Sequence, residues 1–129
     1  MDTSKLKYTE THEWLSLDGK NATVGITDHA QKEISDIVFI EPAKVGRVVK
    51  AKESVMVIES VKAAFDIYAP IAGKITAVNE KLKNHPELAN QASYGDGWLF
   101  KIEASDPREA EALLSEQQYK SVSGSNARH

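Results

Sequence analysis

Lys62 stands in a short polar connection between two apolar runs that are rich in β-forming residues. The runs are residues 55–58, Val-Met-Val-Ile, and residues 65–68, Phe-Asp-Ile-Tyr. A connection of about four residues between such runs predicts a β-hairpin. At the tip of that hairpin the lysine amine projects into solvent. Val61 and Ala63 beside it are small or apolar, so an enzyme could reach the amine from both sides.

Lys62 also has an ordinary interpretation, because most lysines are exposed and solvated without a specific role. The hairpin that carries Lys62, with short side chains around the tip, favours a role as an attachment point. Both interpretations stay open on the residues alone.

The other residues that could do chemistry are scattered. The histidines are His12, His29, His85 and His129, and no Ser-His-Asp order or glycine-rich phosphate loop accompanies them. His29 and Glu33 would share one helix face, but two ligands without a third nearby leave zinc underligated. We therefore interpret His29 and Glu33 as a solvated pair and predict no metal site and no catalytic residue.

Composition limits the function classes further. The chain has 129 residues, 41% of them hydrophobic, a formal charge of −3 and no cysteine. This length is typical of one domain, with a folded core over about residues 5–120 and a small, polar, frayed tail over residues 121–129. No basic run suits nucleic acid, and no apolar run approaches the roughly 20 residues that span a bilayer. We expect a cytoplasmic protein that binds neither nucleic acid nor membrane.

The elements that must position Lys62 are mainly β. Asp18-Gly19 predicts the turn of a second hairpin, and residues 27–34 predict a short helix capped by Thr27 or Asp28, with Gln31 able to complete a capping box. Asp106 starts a C-terminal helix whose buried stripe is Ala110, Leu113, Leu114 and Gln117. Further strands are predicted at residues 37–40, 74–78 and 98–103, and one helical turn at residues 86–90.

A faint internal repeat supports a small sandwich with pseudo-twofold symmetry. Residues 42–48, Pro-Ala-Lys-Val-Gly-Arg-Val, compare with residues 70–75, Pro-Ile-Ala-Gly-Lys-Ile. Each copy has a proline, then a glycine, a basic residue and a β-branched residue. One copy enters the lysine hairpin and the other leaves it. Two copies exclude a solenoid, which needs at least three.

Several motifs together resemble the glycine cleavage system H protein family. They are E-S-V-K-A with D-I-Y-A-P at residues 59–63 and 66–70, H-E-W at residues 12–14, V-G-I-T at residues 24–27, and Y-G-D-G-W-L-F-K-I at residues 94–102. The resemblance covers roughly residues 5–120. Biotin carriers typically have M-K-M at the turn, which this chain lacks. The chain departs from the family pattern at residues 42–44, at Lys52, where a glycine is usual, and at Ser93, where a proline is usual.

The resemblance implies a lipoyl/biotinyl-like flattened β-barrel or sandwich with the lysine at a hairpin tip, short helices and a C-terminal helix. It implies a non-enzymatic carrier in which lipoate is bound covalently to Lys62. The partners it implies are glycine decarboxylase (P protein, with pyridoxal phosphate), the tetrahydrofolate-dependent aminomethyltransferase (T protein), dihydrolipoyl dehydrogenase (L protein, with FAD and NAD) and a lipoate ligase or octanoyltransferase. The carrier would take an aminomethyl group from P protein to T protein and be reoxidised by L protein. We expect a monomer.

Two sets of residues follow from the resemblance as candidate recognition and shielding sites. Around Lys62, the lipoylating enzyme would recognise Glu59, Ser60, Val61, Ala63 and Asp66. A cleft that protects the loaded arm would be lined by Thr11, His12 and Glu13, since this polar string lies beside Trp14 in an apolar segment. Simple solubilising charge is the alternative for Glu59 and Asp66, and an ordinary solvated pair is the alternative for His12 and Glu13.

Three alternative functions stay open. A lipoyl domain of a 2-oxoacid dehydrogenase would use the same arm for acyl transfer, although the V-K-A turn and the C-terminal helix argue against it. A lipoate relay protein would pass its lipoyl group to other complexes. A structural or enzyme-like β protein would leave Lys62 unmodified.

Overall fold

Residues 3–127 are described by a computed structural model, with side chains described as far as Val122. The strands, in chain order, are β1 Lys7–Tyr8, β2 Glu13–Asp18, β3 Asn21–Ile26, β4 Ile37–Glu41, β5 Val48–Val49, β6 Ser54–Ser60, β7 Ala64–Tyr68, β8 Gly73–Val78 and β9 Phe100–Ala104. The α-helices are α1 Asp28–Ile34, α2 Lys81–Asn84, α3 Leu88–Gln91 and α4 Glu116–Ala127. Short 3-10 helices cover Thr3–Lys5 and Pro107–Ala112.

The strands form two antiparallel sheets. The larger sheet has the order β1-β2-β3-β9-β8-β5, and the smaller has the order β4-β6-β7. Neither sheet closes on itself, so the molecule is a flattened sandwich. With its short helices and a C-terminal helix, the structure confirms the predicted mainly β fold class.

The core lies where the inner faces of the two sheets meet. Ile58 on β6, Ile75 on β8 and Ile102 on β9 are each at most 1% exposed. Alternation along the strands produces this packing, because successive side chains point to opposite faces. In β8 the buried Gly73 and Ile75 alternate with the exposed Lys74.

A second apolar cluster packs the segment before β1 and helix α4 against the larger sheet. It contains Leu6, Tyr8, Trp14 and Tyr119. The rings of Tyr8 and Tyr119 stack with centroids 4.9 Å apart, which is within the favourable range for aromatic pairs. This cluster holds α4 against β1 and β2.

The two copies of the repeat pair with each other. Val48 and Val49 in β5 lie opposite Lys74 and Gly73 in β8. The two repeat glycines are required for different reasons, one for its backbone conformation and the other for close packing. Gly46 has a φ of 93°, whereas a Cβ on Gly73 would lie 2.2 Å from the Glu103 carbonyl oxygen.

The predicted C-terminal helix is wrong in its start and its stripe. Asp106 is an N-cap, accepting from Arg108 N at 3.0 Å, but the helix it begins is the 3-10 helix Pro107–Ala112. The Glu109 carboxylate accepts from Ala72 N at 3.1 Å and so ties this 3-10 helix to the segment before β8.

The reason for the break lies at Leu114. Its backbone N–H and C=O exchange two hydrogen bonds with Tyr8, each 2.8 Å long, which pulls the chain out of helical geometry. Helix α4 begins only at Glu116, so Ala110, Leu113, Leu114 and Gln117 do not share one helix.

The remaining predicted elements are present with shifted ends. The hairpin β2–β3 turns at Gly19-Lys20, with Gly19 at φ 65°. The sequence missed β1, β5 and α2. The division into a folded core over residues 5–120 and a frayed tail stays a prediction. The backbone of residues 121–127 is the end of α4, and residues 128 and 129 lie outside the described residues. Within the described chain, no helix is long and apolar enough to cross a membrane.

Candidate functional site

The tip of the β6–β7 hairpin is a three-residue connection, residues 61–63, held by Ser60. The Ser60 N–H donates to the Ala63 carbonyl at 2.9 Å. The Ser60 hydroxyl oxygen accepts from Lys62 N at 3.1 Å and from Ala63 N at 3.2 Å. A serine side chain that satisfies backbone donors in a turn fixes the turn's shape. The backbone of Lys62 is therefore held although its side chain is exposed.

The Lys62 side chain points along the C-terminal end of α1. Its Nζ donates to the Glu33 carbonyl oxygen at 3.1 Å. The last carbonyls of a helix lack intrahelical partners and carry partial negative charge, so an ammonium group beside them is stabilised. Lys62 makes this contact from an exposed position, and Val61 beside it is 66% exposed. The amine is accessible to a modifying enzyme.

The hairpin has one buried face and one exposed face. Ile58 is fully buried and Ile67 is 3% exposed, so this face belongs to the core. Glu59 follows Ile58 and Asp66 precedes Ile67, and successive side chains of a strand point to opposite faces. Both carboxylates therefore lie on the exposed face of the hairpin. The Asp66 carboxylate accepts from the Ser54 hydroxyl at 3.0 Å.

Glu13 is a buried carboxylate at the start of β2. It is 1% exposed. One carboxylate oxygen accepts hydrogen bonds from the hydroxyls of Thr9 and Thr11, and the other accepts from Tyr68 N at 3.2 Å. Burial raises the pKa of Glu13, and these hydrogen bonds partly oppose the rise. Because Tyr68 ends β7, Glu13 is bonded directly to the strand that returns from Lys62.

His12 has a left-handed backbone, with φ 72°. Its N–H donates to the Thr9 carbonyl at 3.2 Å, and its carbonyl accepts from Thr27 N at 3.0 Å. Its Nδ1 is 2.7 Å from the Tyr119 hydroxyl. Burial, followed by the nearby His29, lowers the pKa of His12.

Helix α1 carries His29 and Glu33 one turn apart on the same face. Thr27 is its N-cap, accepting from Ala30 N at 3.1 Å. The predicted capping box is wrong, because Gln31 donates its side-chain amide to the Asp28 carboxylate at 3.0 Å.

His29 Nε2 lies 3.0 Å from Glu33 Oε1, and the His12 and His29 ring centroids are 4.6 Å apart. The sequence missed this approach of His12 to His29. No local pattern signals it, because the two residues lie on different elements.

Two cavities lie beside these residues. The larger, of about 450 Å³, is lined by Tyr8, Thr9, Glu10, Thr11, Glu13, Lys52, Tyr68, Ala69, Pro70, Ala112, Leu113 and Leu114. The smaller, of about 80 Å³, is lined by Thr11, His12, Ile26, Ala30, Glu33, Ile34, Phe65, Asp66 and Ile67. Thr11 lines both. The polar string Thr11-His12-Glu13 thus lies between two concave surfaces on the flank of the lysine hairpin.

Comparisons with known proteins agree with this geometry. The family model described as glycine cleavage H-protein matches residues 6–125. This chain belongs to the glycine cleavage H-protein family.

Two relatives and one solved structure illustrate the match. The glycine cleavage system H protein of Thermotoga maritima is 58% identical over 113 residues, covering 88% of this chain and 91% of that protein. The probable glycine cleavage system H protein of Aeropyrum pernix is 55% identical, covering 88% of this chain and 80% of that protein. A crystal structure of an H protein from Mycobacterium marinum superposes with a TM-score of 0.85 at 32% identity, covering 94% of this chain and 98% of that one.

Glycine cleavage H proteins are the lipoyl-carrying shuttle of the glycine cleavage system, so the predicted family and its carrier function are confirmed. The lipoyl/biotinyl-like fold expected from the resemblance agrees with the superposed H protein. The roles of the individual residues stay predictions.

Proposed function

We propose that Lys62 carries the lipoyl group of this H protein. The observation that carries this proposal is the hairpin tip, where a fixed backbone presents an exposed amine between the exposed Val61 and Ala63. Lipoate would be held by an amide bond to Nζ. When bound, its dithiolane supplies the disulfide chemistry for which the chain has no cysteine.

The surroundings of Lys62 fit such a group. The Lys62 amine donates a hydrogen bond to the Glu33 carbonyl, and amidation removes the charge that favours this contact. The arm would then be free to leave the end of α1. A rigid base with a mobile arm raises the effective concentration of the carried group at each partner.

We assign Glu59, Ser60, Val61, Ala63 and Asp66 to recognition by the lipoate ligase or octanoyltransferase. Ser60 acts by shaping the turn, since its hydroxyl oxygen accepts two backbone N–H groups there. Glu59 and Asp66 present two negative charges on the exposed face of the hairpin.

The test of this recognition is the rate of lipoylation of Glu59→Ala, beside Glu41→Ala as a matched control. Glu41 is also exposed and lies on the neighbouring strand β4. Slower lipoylation of Glu59→Ala alone supports docking. Equal rates for the wild type and both variants would mean that Glu59 is ordinary solubilising charge.

We assign Thr11, His12 and Glu13 to the cleft that shields the loaded arm. The Glu13 carboxylate is buried beside a cavity of about 450 Å³, in a place where bulk water is largely replaced by protein. A cationic amine entering this cavity would pair with the carboxylate, and the exclusion of water would slow hydrolysis. Thr9 and Thr11 orient the carboxylate through their hydroxyl groups.

Glu13→Gln tests this assignment, because the amide keeps the shape of the side chain and removes its charge. We expect the aminomethyl-loaded protein to lose its load faster than the wild type, as followed by intact mass over time. Glu10→Gln is the matched control, since Glu10 lines the same cavity from an exposed position. An unchanged lifetime in Glu13→Gln would exclude the shielding role.

The partners of this chain follow from the family. P protein would load the aminomethyl group, T protein would remove the one-carbon unit and release ammonia, and L protein would reoxidise the arm. The chain itself would be a monomer without catalytic activity. Its cytoplasmic location stays a prediction from the sequence.

The experiment for this carrier role uses the lipoylated chain with glycine, glycine decarboxylase and pyridoxal phosphate. A mass increase equal to glycine minus carbon dioxide, that is an aminomethyl group on one sulfur and a hydrogen on the other, supports the proposal if it is found on the wild type and not on Lys62→Arg. A lipoylated chain that P protein does not load would favour the lipoate relay or the dehydrogenase lipoyl domain instead.

A further inference from the structure

Three side chains with metal-binding atoms meet beside the lysine hairpin. His12, His29 and Glu33 each offer one ligand atom, and these atoms all lie within 4.8 Å of one another. Of these atoms, His29 Nε2 and Glu33 Oε1 are 3.0 Å apart. The carrier function described above uses neither His29 nor the carboxylate of Glu33.

The arrangement is held from two sides. His29 and Glu33 are four residues apart on α1, so they share one helix face by geometry. His12 reaches them from the loop before β2, where its left-handed backbone is fixed by hydrogen bonds to Thr9 and Thr27. A non-glycine residue kept at positive φ carries a backbone cost, and such residues concentrate at functional sites.

An independent observation concerns the other nitrogen of His12. Its Nδ1 is 2.7 Å from the Tyr119 hydroxyl, and that hydroxyl is 2.8 Å from the Thr27 hydroxyl. Metal-binding histidines are typically oriented in this way, by a hydrogen bond at the nitrogen that does not bind the metal. With Nδ1 engaged, Nε2 of His12 is the nitrogen left to bind a metal.

We propose that His12, His29 and Glu33 bind one divalent transition-metal ion of the zinc class. Two imidazoles and one carboxylate suit zinc, whereas calcium and magnesium take oxygen ligands. Zinc bonds of about 2.0–2.1 Å place tetrahedral ligand atoms about 3.4 Å apart, so the 3.0 Å separation between His29 and Glu33 must open slightly and any wider separation must close. Glu33 can supply that movement, because its side chain is 62% exposed. The fourth position stays open to water or to a thiolate.

The site adjoins Lys62. The Lys62 ammonium group is bonded to the carbonyl of Glu33, and the small cavity of about 80 Å³ lies between His12, Glu33 and Phe65 on the hairpin. A metal here would join α1 to the loop before β2 and, through Tyr119, to α4. The proposal goes beyond the carrier role and requires no lipoyl group.

The test uses the full-length, tag-free chain with Lys62 unmodified, so its outcome is independent of lipoylation. Co²⁺ is titrated in first, since its visible spectrum reports coordination geometry, and Zn²⁺ then displaces it. We expect one equivalent of Co²⁺ in a tetrahedral or five-coordinate site, with full displacement by Zn²⁺. His12→Asn, His29→Gln and Glu33→Gln should each weaken Zn²⁺ binding by at least about tenfold. Asparagine is chosen at residue 12 because it tolerates a left-handed backbone.

Two further variants distinguish this site from adventitious binding. Tyr119→Phe removes the hydroxyl that orients His12 and should weaken Zn²⁺ binding by about tenfold. His85→Gln is the matched control, because His85 also lies beside a carboxylate, with Nδ1 3.2 Å from Glu87, but outside the cluster. Its affinity should equal that of the wild type.

Three results would overturn the proposal. They are an octahedral Co²⁺ spectrum, a loss of affinity in His85→Gln as large as that in His29→Gln, and unchanged affinity in Glu33→Gln. Glu33 is exposed, so this last variant keeps the test decisive even where a change at His12 disturbs the loop.

Discussion

Lys62 and Glu13 are the two charged side chains on which the carrier proposal depends, and their surroundings are opposite. Lys62 is exposed on a three-residue tip, and its amine donates to the Glu33 carbonyl. Glu13 is 1% exposed, and its carboxylate accepts from Thr9, Thr11 and Tyr68. The difference separates two tasks. An attachment point must be reachable by several enzymes, whereas a group that protects a reactive load must be kept from water.

The two regions are connected through one strand. Tyr68 ends β7, which begins just after the tip, and its N–H donates to Glu13. The buried carboxylate therefore also fastens the strand that returns from Lys62. This connection means that changes at Glu13 and Lys62 should differ in their effect on stability as well as on function.

The largest expected effect on stability is that of Glu13→Ala. It removes the acceptor of the Tyr68 N–H and leaves space in a buried place, so we expect the free energy of unfolding to fall by about 2 kcal/mol. Lys62→Ala should change it by less than about 0.5 kcal/mol, as is usual for exposed residues. Denaturant unfolding of both variants measures this. Equal losses would contradict the contrast between the two regions.

The next effect concerns the tip alone. Ser60→Ala removes the hydroxyl that accepts from Lys62 N and Ala63 N, and we expect about 1 kcal/mol or less of stability to be lost. NMR measurement of amide exchange should show faster exchange at Lys62 and Ala63. Ser54→Ala, at the other end of the hairpin, is the matched control and should leave both amides unchanged. Faster exchange in both variants would mean that Ser60 does not fix the tip specifically.

Replacing Lys52 by glycine should stabilise the protein. It has a φ of 71° in the turn before β6 and lines the larger cavity beside Glu13. Left-handed backbone costs a non-glycine residue roughly 1–2 kcal/mol, and part of this is offset by the entropy that glycine loses on folding. We expect Lys52→Gly to raise the free energy of unfolding by about 0.5–1 kcal/mol.

The control for this change is Lys50→Gly, in the same turn but outside the residues with positive φ. It should not stabilise the protein. A gain in Lys50→Gly as large as that in Lys52→Gly, measured by thermal unfolding, would show that backbone conformation is not the cause.

The smallest effect is a pH dependence that comes from Glu13. Burial raises its pKa above the ordinary 4.5, so the folded state holds the proton more tightly than the unfolded state. The stability contributed by Glu13 is therefore greatest at acidic pH and falls as pH rises from 4.5 through the raised value. Relative to Glu13→Gln, the wild type should lose stability over this range.

Asp106→Asn provides a control of opposite sign. The pKa of Asp106 is lowered, first by its hydrogen bonds with Arg108, so the stability it contributes is present above its ordinary pKa and is lost as pH falls. Urea unfolding at several pH values measures the free energy of unfolding of each protein. As pH rises, the stability of the wild type relative to Glu13→Gln should fall, whereas its stability relative to Asp106→Asn should rise. The same sign in both would contradict the buried environment of Glu13.

The sequence predicted the parts of the site that depend on local patterns. Two apolar runs rich in β-forming residues and a short polar connection predicted the hairpin that carries Lys62. The polar residues at the start of α1 predicted an N-cap at Thr27 or Asp28, and Thr27 is the N-cap. Both signals lie within a few residues of the feature they specify. The polar string at residues 11–13 was also found, because it interrupts an apolar segment.

The parts that the sequence could not predict depend on contacts between distant residues. The backbone bridge between Tyr8 and Leu114 ends the 3-10 helix and delays α4, and neither residue signals it locally. The approach of His12 to His29 depends in the same way on the packing of the loop against α1. The positive φ of Lys52 is different, because the family resemblance pointed to it through the glycine that is usual at this position, although the lysine itself does not signal the turn.

The most direct test of the central claim is the site of lipoylation. The full chain and Lys62→Arg would be incubated with lipoate ligase, ATP and lipoate, and then compared by intact and peptide mass spectrometry. Arginine keeps the positive charge and the approximate length of the side chain but offers no amine. One lipoyl group on Lys62 of the wild type, and none on the variant, is the predicted result. An unmodified wild type, or a lipoyl group on another lysine, would contradict it.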